Sequence, residues 1–272
     1  MHMNCKGKLI DLSVPKVMGI VNLTPDSFYD GGKKNMEAVL SQVGAMLTEG
    51  ATFIDMGAYS SRPDATDISV QEEEARLLPI IKEVVKQYPD VLLSVDTFRA
   101  SVAEKAILAG ACMVNDISAG MLDKKMMEVV GALRVPYILM HMRGTPQTMK
   151  TLTDYKHLLK EITSYFSERI AYARSHKIND LVIDPGFGFA KTTTQNFTVL
   201  KEMDFFKVLE VPLLAGLSRK SMIYKTLNGT PSTSLNGTTA LNMIALQNGA
   251  SILRVHDVKE AVECVKLYNL IS

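Results

Sequence analysis

Nine polar residues stand where short apolar runs of this chain stop: Asn22, Asp55, Asp96, Asn115, His141, Asp184, Ser218, Arg254 and His256. Two kinds of chemistry are available to them. Asp96, Asn115, the adjacent Asp116 and Asp184 offer more carboxylates and amides than one proton-transfer pair needs. They suit a flat heterocycle with several N–H donors, because a carboxylate in an apolar pocket takes two parallel N–H bonds strengthened by its charge. A strand-end aspartate also serves well as a helix cap or the partner of a lysine, so no single one decides the matter. The second kind is anion binding. Ser218-Arg219-Lys220 and Arg254-Val255-His256 carry it, and Arg254 and His256 share a face by the two-residue period of a strand. His141 has the weakest case, since a strand-end histidine is as often packed and hydrogen-bonded as reactive.

The elements that must position these residues are legible from the runs themselves, at 17–22, 53–55, 92–96, 113–116, 137–141, 181–184, 213–218 and 252–256. Each is too short for a helix and apolar on both faces, the pattern of a parallel strand covered by helices. Amphipathic stretches separate them, near 35–49, 69–87, 100–109, 123–133, 155–175, 194–208, 238–247 and 258–270. No element is assigned before residue 17. Alternating strands and helices of this number predict an α/β fold, a (β/α)8 TIM barrel, as a single domain over residues 1–272. Its active site lies at the C-terminal ends of the strands, where strands one and eight adjoin. Asn22 then neighbours Arg254 and His256. The three form a cluster able to take a diphosphate, with Asn22 able to give an oxygen to Mg2+.

Composition narrows the partners. A net charge of +1 gives no concentrated basic face for nucleic acid or an anionic membrane. No apolar run approaches the ~18 residues of a membrane span, and the first residues lack a signal-peptide core. Cys5, Cys112 and Cys264 are odd in number and far apart, which points to the cytoplasm. The methionines, Met140 among them, read as core filler with one or two lining a pocket.

The stretch Asn22-Leu23-Thr24-Pro25-Asp26-Ser27-Phe28-Tyr29-Asp30-Gly31-Gly32 closely resembles the first signature of the dihydropteroate synthase family. So, in order, do Ser94-Val95-Asp96-Thr97, Asn115-Asp116-Ile117-Ser118, Asp184-Pro185-Gly186-Phe187-Gly188-Phe189, Ser218-Arg219-Lys220-Ser221 and Arg254-Val255-His256-Asp257. The resemblance covers essentially the whole chain. It implies condensation of 6-hydroxymethyl-7,8-dihydropterin diphosphate with 4-aminobenzoate, giving 7,8-dihydropteroate and diphosphate on the folate pathway. The family's mechanism is dissociative, through a pterin cation.

By the same resemblance Asp96, Asn115, Ile117, Met140, Asp184, Gly188, Lys220 and Arg254 hold the pterin. Asn22, Ser61, Arg62, Arg254 and His256 hold the diphosphate, and Asn22 the Mg2+. Phe28, Ser61, Arg62, Pro63, Phe189, Ser218 and Lys220 surround the 4-aminobenzoate. Asp96, Lys220, Arg254 and Asn22 carry the catalysis. The family is a sulfonamide target and commonly a homodimer, and both are implied here. One departure stands out. The family's second loop commonly reads Gly-Gly-Glu-Ser-Thr-Arg-Pro, and here Gly57-Ala58-Tyr59-Ser60-Ser61-Arg62-Pro63 puts Tyr59 in place of the acid. Function with altered packing is the expectation. Two alternatives are a pterin-barrel methyltransferase using methyltetrahydrofolate and a non-catalytic pterin-binding paralogue. The first has no diphosphate to hold, so Lys220, Arg254 and His256 together disfavour it. The second is disfavoured because Asn22, Lys220 and Arg254 are all present.

Overall fold

The computed structural model describes residues 1–23, 33–60 and 67–271. An antiparallel hairpin of β1 (His2–Cys5) and β2 (Lys8–Asp11) comes first. The barrel strands follow as β3 (Lys16–Asn22), β4 (Phe53–Gly57), β5 (Leu93–Asp96), β6 (Met113–Asp116), β7 (Tyr137–Met140), β8 (Leu181–Asp184), β9 (Leu213–Ala215) and β10 (Ala250–Val255). These eight are parallel and closed, with β10 pairing β3. The helices are α1 (Lys33–Glu49), α2 (Val70–Gln87), α3 (Ala100–Leu108), α4 (Met126–Leu133), α5 (Leu158–Ser175), α6 (Thr193–Lys201), α7 (Ser221–Tyr224), α8 (Leu235–Gln247) and α9 (Val258–Tyr268). The helix expected over 194–208 ends early, and a 3-10 stretch over Met203–Leu209 replaces its second half.

Strand parity builds the interior. Met18, Phe53, Leu92, Met113, Ile138, Val182, Leu214 and Ile252 form one buried apolar layer at the foot of the barrel. Because side chains alternate, residues two further along each strand point the same way. They are Ile20, Asp55, Ser94, Asn115, Met140, Asp184, Gly216 and Arg254, so the next layer is largely polar. The intervening residues, such as Ile54, Leu93, Val114, Leu139, Ile183 and Leu253, face the helices in the outer core. A closed parallel barrel thus reads as apolar on both faces at its foot and turns polar only toward its mouth.

The hairpin at the start of the chain went unassigned in the sequence. Its strand β1 alternates exposed and buried residues, and Met3, Cys5 and Leu12 close the foot of the barrel against the apolar layer. Lys6 and Gly7, at φ 51° and 77°, supply the tight turn that favours a two-residue hairpin. Asn4 N–H donates to Asp180 Oδ1 at 3.2 Å and Lys8 Nζ to Asp90 Oδ1 at 2.6 Å, tying the hairpin to the strand entrances.

Candidate active site

Arg254 is the hub of the polar layer. It projects inward from β10 and donates from Nε to Asp55 Oδ2 at 2.6 Å and from an Nη to Asp96 Oδ2 at 2.7 Å. Asn115 donates from Nδ2 to the same Asp55 oxygen at 2.9 Å. Four residues from four strands are thereby locked together, with Asp55 and Asn115 buried and Arg254 largely so. Charge-assisted bonds at these distances are the strong kind, and each fixes a side-chain direction as well as a distance.

Asp184 lies on the other side of this floor. Its Oδ1 accepts from the Gly186 N–H at 2.8 Å. Its Oδ2 and the Lys220 ammonium flank the bare backbone of Gly216, at 3.7 and 3.9 Å from where a Cβ would stand. Lys220 also donates to the carbonyl of Phe187. Burial dominates the electrostatics. It raises the carboxyl pKa of Asp184 against the opposing pull of Lys220, and it raises that of Asp96 against Arg254, with Asp55 adding to the rise. It lowers the Lys220 ammonium to about 8. Three carboxylates, one guanidinium and one ammonium share a small, poorly hydrated floor, an arrangement characteristic of functional sites.

Above the floor sits an apolar collar. Ile117, Met140, Met142, Met149 and Ala190 form a separate buried cluster, joined by Phe98, Leu122 and Phe189. The ring of Phe189 has the Lys220 ammonium 5.0 Å from its centroid, within cation–π reach. The turn after β8 needs Gly186 and Gly188, at φ 69° and 82°. A Cβ on Gly186 would also collide with the carbonyl oxygen of His141. A polar floor under an apolar collar fits a flat, nitrogen-rich ring held by its edge and covered on its faces.

The rim residues are arranged less simply. Ser218 Oγ lies 2.9 Å from His256 Nδ1 and accepts from the His256 backbone N–H at 3.2 Å. Arg219, at φ 58°, turns away to pair with Asp257 at 2.5 and 3.1 Å. Tyr59, the departure in the second loop, packs edge-on against Phe98 at 4.9 Å, with the Arg99 guanidinium 5.2 Å from its ring. Arg99 in turn is held by buried Glu73 at 2.8 Å and by the carbonyl of Ile68 at 2.6 Å. The tyrosine therefore gains an aromatic and cationic seat where the family has an acid. Phe28, Ser61, Arg62 and Pro63 lie outside the described residues.

One expectation needs correction. Asp116 does not face the mouth. It is wholly buried, accepting from the Tyr137 hydroxyl at 2.6 Å, the Ser118 N–H at 2.7 Å and the Gly120 N–H at 2.7 Å. Asn115 points inward, so by alternation Asp116 points out and secures the following turn. Asn22, Arg254 and His256 stand at different heights on their adjacent strands. Strand stagger sets Arg254 opposite Met18, four residues below Asn22 and hence about 13 Å down the strand. Asn22 is exposed at the rim and Arg254 belongs to the floor.

The structure joins Arg254 to Asp96 directly and to Asn115 through Asp55, with Asp184 and Lys220 across the floor and Ile117, Met140 and Phe189 in the collar. Asp55 was a candidate without a role and proves to be the anchor of Arg254. His141 is packed and buried, beside a lysine the sequence reading passed over, Lys191. The available signal was a charged residue two positions after the glycine-rich, apolar run Pro185–Phe189.

Residues 18–256 match the family described as pterin binding enzyme. The dihydropteroate synthase of Escherichia coli K12 is 41% identical over 271 residues, 98% of this chain and 95% of that protein. Among solved structures, Yersinia pestis dihydropteroate synthase in a sulfonamide drug complex superimposes with a TM-score of 0.94 at 40% identity, covering 100% of this chain and 99% of that one. Xanthomonas albilineans dihydropteroate synthase with 4-aminobenzoic acid gives 0.92 at 39% identity, with 99% and 97% covered.

Proposed function

The chain belongs to the pterin-binding enzyme family, and from that premise we infer that it works as a dihydropteroate synthase. It condenses 6-hydroxymethyl-7,8-dihydropterin diphosphate with 4-aminobenzoate, releasing diphosphate and forming 7,8-dihydropteroate. The observation that carries this reading is the floor of Asp96, Asn115, Asp184, Lys220 and Arg254 beneath an apolar collar. The acceptors on this floor match the donors of a pterin edge.

The chemistry follows from the residues. Asp184 and Asn115 take ring N–H groups, and Lys220 donates to the ring carbonyl. Ile117, Met140, Gly188 and Arg254 cover the ring. The bond between the exocyclic methylene and the diphosphate oxygen breaks first, and the electron pair leaves with oxygen. The positive charge spreads into the electron-rich dihydropterin, and Asp96 stabilises it. The aromatic amine attacks the methylene carbon and loses its proton afterwards. An aromatic amine is nucleophilic without deprotonation, so no dedicated base is needed. Ser218, Lys220 and Phe189 hold the 4-aminobenzoate, with Phe28, Ser61, Arg62 and Pro63 completing its pocket from the loops.

Among the described residues no group of three or more His, Cys, Asp and Glu is placed to cage a metal. Asn22, exposed at the end of β3 with a side-chain amide oxygen to offer, is the residue that would hold Mg2+ together with the diphosphate oxygens. When bound, the ion screens the charge of the departing diphosphate. Arg254 and His256 neutralise the same group from the barrel side, with Ser61 and Arg62 from the second loop.

Residues 1–272 act as one domain. Exposed Leu267, Leu270 and Ile271 near the end of the chain support a homodimer, which sedimentation would verify. No helix of the described residues is long and apolar enough to cross a membrane. Three free, buried cysteines are consistent with the reducing cytoplasm. A coupled assay for diphosphate release tests the function. Release that requires 4-aminobenzoate is the expected result. No release at all would favour the methyltransferase or non-catalytic reading, and release indifferent to 4-aminobenzoate would make the chain a pterin diphosphate hydrolase instead.

A further inference from the structure

Lys191 is buried in the barrel, and none of the hydrogen bonds it makes among the described residues goes to a carboxylate. Its ammonium lies 3.0 Å from His141 Nδ1, 3.1 Å from the carbonyl oxygen of Gly186 and 3.1 Å from that of Phe189. It thus grips both ends of the turn that follows β8. The other groups of that turn are held as well. Lys220 takes the carbonyl of Phe187, the Tyr155 hydroxyl donates to that of Ala190 at 2.9 Å, and Gly188 N–H donates to Asn196 Oδ1 at 2.7 Å. Gly186, Gly188 and Ala190 all have positive φ, at 69°, 82° and 46°. A turn built from left-handed residues has little preference of its own for one shape, so its side-chain hooks decide where it sits.

We propose that Lys191 and His141 form a positioning pair that fixes the turn 186–190, and through it the wall that Phe189 presents to 4-aminobenzoate. This inference rests on the synthase reading given above. The pterin floor is less dependent on the pair, because Asp55, Asp96, Asn115 and Arg254 hold one another without the turn and Gly188 has its own anchor in Asn196. Neither residue touches the reacting atoms.

The pairing explains why the partner is a histidine. When Lys191 is an ammonium, it donates all three contacts and His141 Nδ1 accepts. When it is a neutral amine, it donates to the two carbonyls and accepts from His141 Nδ1–H, the imidazole having changed tautomer. The turn keeps the same three contacts in both states. Burial presses both groups toward neutrality, with the Lys191 ammonium falling to about 7 and His141 well below its usual value. Asp184 opposes the fall at Lys191, while Lys220 and Arg143 add to it, and Lys191 and Arg143 both depress His141.

The test is steady-state kinetics on the full chain, following dihydropteroate formation, with thermal denaturation to establish folding. Lys191→Met keeps the unbranched shape of the side chain, one atom shorter, and removes its donors. The expected result is a KM for 4-aminobenzoate at least tenfold higher and a KM for the pterin diphosphate within about threefold of the original. His141→Leu should raise the 4-aminobenzoate KM too, and His141→Asn, which restores an acceptor near Nδ1, should bring most of it back. Should Lys191→Met fail to fold, the two His141 variants decide. A parallel rise in both KM values, or a 4-aminobenzoate KM within twofold of the original in Lys191→Met or His141→Leu, would overturn the inference. Rises in His141→Leu and His141→Asn alike would also overturn it. Absence of turnover in the unmodified chain would instead remove the synthase reading itself.

Discussion

At the scale of single residues the site is a set of opposed charges whose positions outweigh their number. Asp184 is the clearest case. Its Oδ1 is engaged by the Gly186 N–H, which leaves Oδ2 facing the floor. In Asp184→Asn the amide oxygen would keep the Gly186 bond and turn its NH2 toward a pterin N–H. Losing a buried charge-assisted bond in this way costs roughly 2–4 kcal/mol, so pterin affinity should fall about 30- to 700-fold at ~1.4 kcal/mol per decade. Calorimetry with a pterin lacking the diphosphate reads this directly, and an unchanged affinity would remove Asp184 as the anchor. Lys220 predicts a pH dependence. Burial lowers its ammonium to about 8, and only the ammonium has the charge and the third N–H needed to serve the Phe187 carbonyl, the pterin carbonyl and the benzoate together. Protonation is favourable below that value and lost above it. The profile of kcat/KM, which reports the free enzyme, should therefore fall above about pH 8. Lys220→Arg stays charged and should lose this limb. A limb that stays in place would belong to another group.

At the scale of elements the two ends of the barrel do different work. The hairpin β1–β2 packs Met3 and Cys5 into the foot, on the far side of the apolar layer that underlies Arg254 and Asp96. Met3 is among the largest fully buried side chains. Met3→Ala should cost about 2–5 kcal/mol of stability, the range for a buried methionine truncated to alanine. Denaturant unfolding measures the loss, and kcat/KM should stay within about twofold because the change lies at the opposite end from the substrates. A loss of activity without a loss of stability would contradict this division between the ends.

At the scale of the whole molecule the fold spends its polar residues on one face of one layer. Such a barrel does not need a metal to stand, since its core is apolar and its floor is cross-linked by its own charges. Excess chelator should abolish turnover by removing Mg2+ from the departing diphosphate, while the melting temperature stays unchanged. Turnover that survives the chelator would take the ion out of the mechanism. A parallel fall in melting temperature would make it structural.

The sequence by itself was sufficient for the strand runs, their order, the helices between them and the polar residues at their ends. All of these depend on local pattern, on short two-faced apolar runs and amphipathic stretches between them. The long signature beginning at Asn22 pointed to the family for the same reason, being contiguous. What depends on how distant strands meet was not legible. Arg254 pairs with Asp55, 199 residues away, and strand stagger in the closed barrel put Arg254 well below Asn22. Asp116 and Asn115 are equally polar neighbours, and nothing in a strand apolar on both faces says which of them points inward. Lys191 was passed over because a lysine after a strand is ordinarily solvated. Two of its partners are carbonyls of its own turn, but His141 becomes a neighbour only when β7 and β8 pair side by side. Local pattern decides which elements form, and closure of the barrel decides which side chains share its floor.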